Sequence, residues 1–176
     1  MVAIKQILTW MFITVVAFFT FNLFISRDYK IERSIEINVP SDLVYSQVAY
    51  LQSWKNWAIW WKQDSTLVTQ YLGEYGKNSK MSWDGKYAGK GTLQIIAVSF
   101  PDSINTELVF DDFHPIYGCW RFVDLDSMTK VTWSMKGQMP FFMRFLTLFF
   151  DVMLGKDLED GLEGLKVWCE SFSTQS

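Results

Sequence analysis

Along the chain the spacing of apolar positions changes period several times, and each change marks an element. From Ile7 to Ile25 there is no alternation: ILTWMFITVVAFFTFNLFI runs without a charge, between Lys5 on one side and Arg27 and Asp28 on the other. At 1.5 Å per residue such a helix reaches roughly 28 Å, about the thickness of a bilayer's hydrocarbon layer. No small-residue cleavage pattern follows it, so an uncleaved anchor is expected rather than a signal peptide. The period then becomes two. Tyr29, Ile31, Ile35, Ile37 and Val39 alternate with polar residues, which predicts a half-buried strand broken once on its apolar side by Arg33. Pro40-Ser41-Asp42 ends that strand and predicts a helix start, with Ser or Asp available as cap. Leu43, Val44, Gln47, Val48 and Leu51 then give a short amphipathic helix over 41–51.

Further strand-like runs follow at Thr66–Glu74, Ser79–Asp84, Gly91–Phe100, Ser103–Phe110, Gly118–Asp126 and Thr129–Gly137, separated by turn residues. Pro101-Asp102 and Asp126-Ser127-Met128 are short enough for hairpins. From 139 to 172 the period returns to that of a helix. Leu158, Leu162, Leu165, Cys169 and Phe172 fall on one stripe. A kink or fraying is expected at Gly155, and close approach of the helix to a sheet at Gly161 and Gly164. The order of strand, short helices, six strands and long helix predicts an α+β fold. Its seven-stranded antiparallel sheet is covered by helices on one face. A strongly curved sheet gripping one long helix leaves room for a cavity. The expected division is an anchor over 1–27 and one domain over 28–176.

Composition narrows the partners. The domain carries all 19 acids but lacks two of the 16 bases, Lys5 and Arg27, and its charges are scattered, which argues against nucleic acid. One histidine and two distant cysteines, Cys119 and Cys169, exclude most His-based metal sites and disfavour a Ser-His-Asp triad. No cofactor signature is present. Arg27, Lys30 and Arg33 outnumber Lys5 and the amino terminus across the span, which slightly favours a cytoplasmic domain.

Four motifs resemble the START-like superfamily, also called the polyketide cyclase/dehydrase and lipid-transport or SRPBCC group. Glu32–Pro40 (ERSIEINVP) is similar to an opening strand of a bacterial, often membrane-anchored branch. Trp54-x-x-Trp57-x-x-Trp60 is similar to a W-x-x-W-x-P-W pattern, with Ile59 in place of proline. Thr129–Trp133 (TKVTW) and Gly155–Lys166 (GKDLEDGLEGLK) complete the set, in the branch's order. The resemblance implies a helix-grip fold with an apolar pocket between sheet and C-terminal helix. It further implies binding of a hydrophobic small molecule or lipid, with cyclisation or dehydration in a minority of members. A bacterial inner-membrane location goes with that branch. None of the motifs is a catalytic signature, so shape is better indicated than chemistry.

Candidate residues follow from both lines. SWKNWAIWWK, positions 53–62, places Trp54, Trp57 and Trp61 on one helical face with Trp60 beside it. Core, pocket wall and lipid contact are the alternatives for that face. Trp57, Trp60, Trp83, Trp133, Phe142 and Phe145 are the expected wall residues. Glu107 and Arg121, each within a strand, are candidate polar anchors in a cavity if they face inward, and solvated side chains if they do not. Asp111, Asp112 and His114 are the one concentrated acid/base group, in an expected loop. Met139–Phe150 is apolar nearly all round, suited to packing on one side and to bilayer contact or a lid on the other. The expected function is an anchored binding protein for a hydrophobic small molecule or lipid. An enzyme using a pocket carboxylate and an anchored protein-interaction module are the competing classes.

Overall fold

A computed structural model describes residues 2–110 and 114–173. Helix α1 (Val2–Leu23) is long and apolar enough to cross a membrane. Its outward side chains are not covered by the rest of the chain. Strand β1 (Asp28–Ile37) follows, then α2 (Ser41–Ala49), a single 3-10 turn, α3 (Trp54–Trp57) and α4 (Trp60–Gln63). Six strands come next: β2 (Val68–Leu72), β3 (Lys80–Gly85), β4 (Gly89–Ser99), β5 (Ser103–Phe110), β6 (Ile116–Leu125) and β7 (Met128–Gln138). A 3-10 helix (Phe141–Leu148) leads into α5 (Phe150–Ser173). The sheet is antiparallel throughout, in the order β1-β7-β6-β5-β4-β3-β2. This is the helix-grip arrangement.

Strand parity decides the core. Ile31 and Ile37 of β1, Val131, Trp133 and Met135 of β7, and Trp120 and Phe122 of β6 all face α2 and α5. Leu158, Leu162, Leu165 and Cys169 form the buried stripe of α5 against them. Arg33 is the inward exception. Its Nε donates to Glu159 (2.7 Å), and its terminal nitrogens donate to the Asp151 carboxylate (2.9 Å) and backbone carbonyl (3.0 Å). Gly155 stands between those two acids, where a Cβ would strike the guanidinium. Hydrogen bonding to Arg33 holds the Asp151 carboxyl below its usual range.

Three expectations change. Helix α2 begins at Ser41, with Pro40 as its N-cap and no side-chain cap, and Asp42 instead accepts the N–H of Leu43 at 2.8 Å. The C-terminal helix breaks at Phe149 and not at Gly155, which α5 crosses without interruption. The physical reason is α1: the amide of Phe145 donates to Asn22 Oδ1 (3.2 Å), so an α-helical partner is replaced by a tertiary one. The tryptophan stretch is also two helices, because Ala58 is extended (φ −71°, ψ 137°) and stops α3.

Candidate functional site

The sheet and α5 do not meet evenly. At one end of the concave face four indoles fill the space. Trp120 and Trp133, opposite one another on β6 and β7, stack at 4.2 Å. Trp54 and Trp57 close over them at 5.8 and 5.9 Å from Trp120, edge to face. All four are buried. Trp54 Nε1 donates to the carbonyl of Val48 at 3.0 Å, while the indole N–H groups of Trp57, Trp120 and Trp133 have no acceptor among the described residues. Gly161 and Gly164 admit α5 to this cluster. A Cβ on Gly161 would lie 2.9 Å from the Trp133 ring, and one on Gly164 would strike the Trp57 carbonyl.

At the other end the same face is hollow. A cavity of about 200 Å³ lies between the sheet and the start of α5. Its buried floor is Met81, Leu93, Leu108, Met135 and Leu158; half-buried residues, among them Tyr29, Trp60, Trp61, Trp83 and Leu154, form the sides. An apolar cavity of about 150 Å³ already stays dry and accepts a benzene-sized molecule. Trp83 lies flat across β4 because Gly91 has no Cβ to meet its ring, and Phe110 braces it edge-on at 5.7 Å. Asp64, itself buried, straps the side formed by Leu67 and Ala88. Its carboxylate accepts the Thr66 hydroxyl and the amides of Ala88 (3.0 Å), Tyr87 (2.8 Å) and Thr66 (2.9 Å). Those bonds, the Thr66 hydroxyl first, hold its pKa far below the aspartate norm.

Two ionisable groups belong to the lining. Burial raises the pKa of the Tyr29 phenol. Burial, and secondarily the Asp160 charge, raises that of the Asp157 carboxyl. Among the described residues no three His, Cys, Asp or Glu side chains are grouped to hold a metal ion.

Comparison with known proteins bears on this geometry. A family model described as polyketide cyclase / dehydrase and lipid transport matches residues 37–166. The chain belongs to this family. No curated protein matches it in sequence. Among solved structures, a norcoclaurine synthase mutant from Thalictrum flavum, in complex with a transition-state analogue, superposes with a TM-score of 0.62. It shares 9% identity, and the match covers 84% of this chain and 98% of that one. A protein from Chromobacterium violaceum gives 0.60 at 14% identity, covering 81% and 98%. One from Nitrosospira multiformis gives 0.59 at 16%, covering 82% and 99%. Such identities establish the START-like fold and leave chemistry to the site itself.

Within this family member the sequence-predicted wall residues separate into groups. Trp60 and Trp83 line the hollow. Trp57 and Trp133 lie in the solid cluster beside it, with Trp60 touching the Trp133 ring edge-on at 6.1 Å. Phe142 is exposed, and Phe145 packs on Phe18 of α1; neither reaches the hollow. Glu107 lies on the outer face of β5, since Leu108 and Phe110 take the inner parity. Arg121 is likewise outward and exposed, 3.4 Å from Glu32. Their place is the solvated strand face. His114 is exposed, and Asp111 and Asp112 lie outside the described residues. Lining residues outside the predicted wall set include Tyr29, Met81, Leu93, Leu108 and Asp157. Inward parity marks the strand members. Asp157 carries a weaker signal: it precedes Leu158 of the buried stripe and follows Leu154 by three positions, on the flank of that face.

Proposed function

We propose that the protein is a membrane-anchored binding protein for a hydrophobic small molecule or lipid segment held between β3–β7 and α5. The observation that carries this reading is the hollow itself: an apolar space of about 200 Å³ bounded by Trp60, Trp83, Leu108 and Leu158. Packed interiors rarely leave voids much larger than a water, and filling this one gains roughly 25 cal/mol per Å² of apolar area covered. Its volume suits a small ring system or a stretch of acyl or isoprenoid chain. Helix α1 serves as the anchor, with the domain on the cytoplasmic side, and keeps exchange with the bilayer local. The test is a fluorescence titration of the full chain in mild detergent with an environment-sensitive fatty-acid probe. Saturable binding that Leu108→Trp weakens by roughly tenfold or more supports the reading. Binding unaffected by that substitution removes it.

One observation favours a second, catalytic reading. Asp157 places a carboxyl with a raised pKa in the cavity wall, the property a general acid needs. The norcoclaurine synthase above shows that this fold accommodates an enzyme. The two readings separate when the apolar compound recovered from the protein is incubated with wild type and with Asp157→Asn. Conversion by wild type alone assigns catalysis; recovery unchanged from both leaves binding.

A further inference from the structure

We infer that the chain meets the bilayer a second time, through the 3-10 segment Phe141–Leu148 and the first turn of α5, and that this contact turns the Tyr29–Leu154 side of the hollow toward lipid. The inference rests on α1 being a membrane span. The last turns of α1 and the 3-10 segment are built as one unit. Phe145 packs edge-on against Phe18 at 5.6 Å, and Phe141 stacks on Phe19 at 5.9 Å. Asn22, fully buried where the two meet, donates to the Phe18 carbonyl (2.9 Å) and accepts the Phe145 amide (3.2 Å). The amide of Met139 donates to the Arg27 carbonyl at 2.9 Å. The final turn of a span lies at the headgroup boundary. A segment bonded to Asn22 and Arg27 therefore lies at that same depth.

What the segment exposes there is apolar. Phe142 (58%), Leu148 (59%), Phe149 (55%), Val152 (77%) and Met153 (58%) stand in the open. Phe149, Val152 and Met153 share one face of the helix start, while Gly155 lies against Arg33 on another. Elsewhere on the domain exposed apolar residues occur in pairs on single strands, such as Val68 with Leu72 on β2 and Val123 with Leu125 on β6. Here they form a patch continuous with an apolar span, and continuity with the span identifies lipid as what covers it. Arg144 supports the same placement. Its guanidinium lies 5.1 Å over the Phe141 ring, and no carboxylate among the described residues pairs with it. A cation held at the headgroup boundary beside aromatic rings is suited to phosphate oxygens.

The patch adjoins the hollow. Phe150 packs edge-on against Tyr29 at 4.8 Å, and Leu154, directly after Met153, lines the cavity. An apolar route of one helical turn thus separates lipid from ligand space.

The full chain in phosphatidylcholine/phosphatidylglycerol nanodiscs tests this, with an environment-sensitive fluorophore on one introduced cysteine per variant, in a Cys119→Ser background where the remaining native thiol, Cys169, is fully buried. Labels at Ile13, Met153 and Val123 report the span, the patch and the distal end of β6. The expected result is blue-shifted emission at Ile13 and Met153, deep-lipid quenching at Ile13, shallow-lipid quenching at Met153, and aqueous emission at Val123. Aqueous emission at Met153 with quenching at Ile13 overturns the second contact and leaves the span standing. Aqueous emission at both overturns both. To guard against a label that distorts the site, wild-type chain is also photolabelled with a phospholipid carrying a diazirine near the headgroup. Adducts on peptides spanning 141–153 are expected, and their absence overturns the contact.

Discussion

Two halves of one concave sheet surface meet the same helix and end differently. Around Trp120 and Trp133 the space is packed solid by indoles from α3 and by α5 drawn in on two glycines. Around Leu93, Leu108 and Met135 nothing fills it. The tryptophan stretch spans the border. Trp54 and Trp57 belong to the solid half, Trp60 and Trp61 to the hollow one, and the extended Ala58 turns the chain from one to the other. The lesson is a division of labour: stability is concentrated where the indoles interlock, which permits an under-packed region beside them.

That comparison breaks most directly by truncation. Trp133→Ala is expected to cost about 3–5 kcal/mol, the usual range for a buried aromatic, measured by denaturant unfolding. Trp83→Ala, in the half-buried wall of the hollow, should cost less than half of that while weakening ligand binding. Equal costs would mean that the two halves are not energetically distinct.

Overpacking gives the next largest effect. Gly164→Ala places a methyl against the backbone carbonyl of Trp57, which cannot rotate away as a side-chain tip would. A loss of about 1–3 kcal/mol is expected, again in denaturant. On the hollow side, Leu108→Trp should alter stability by less than about 1.5 kcal/mol, because the added volume enters empty space. Probe affinity should nonetheless fall by roughly tenfold or more, about 1.4 kcal/mol. A large loss of stability would show that the hollow is tighter than its geometry.

The smallest effects are in pH dependence, where Asp64, which straps one side of the hollow, and Asp157, which lines it, should oppose each other. The folded pKa of Asp64 is depressed by the Thr66 hydroxyl and by backbone amides. Its contribution is complete above the ordinary aspartate value of 3.8 and is lost as pH falls from there toward the folded value. Asp157 has a raised folded pKa. Its ionisation costs nothing below 3.8 and begins to destabilise the fold as pH rises through that value. Thermal unfolding between pH 3 and 7 should therefore lose part of its acid sensitivity in Asp64→Asn. Asp157→Asn should gain slightly on wild type toward neutral pH. Reversed slopes would contradict the assigned environments.

Much of this was legible in the chain, for physical reasons that differ by site. The period-two runs gave seven strands close to their observed bounds, because every strand but the edge strand β2 buries residues on one face and a one-residue slip would turn them outward. Gly161 and Gly164 were readable as close contacts, since nothing else justifies their cost in a helix. The break in the tryptophan stretch was partly visible. The related pattern has proline where Ile59 stands, and a residue before proline is driven extended, as Ala58 is. The 3-10 segment was not readable as such, because it depends on Asn22, more than a hundred positions away. Arg33 looked like a flaw in β1 until Asp151, Gly155 and Glu159, spaced four apart on α5, supplied its partners. Glu107 and Arg121 drew attention as charges within strands; parity alone would have turned Glu107 outward, opposite Leu108 and Phe110.

The most direct measurement is native mass spectrometry of the full chain released from mild detergent, beside Leu108→Trp prepared identically, with solvent extraction of each. Wild type should carry an apolar compound as added mass, and the filled variant should carry none at the same purity. Bare polypeptide mass in both, or the same adduct in both, would contradict a ligand held between the sheet and α5.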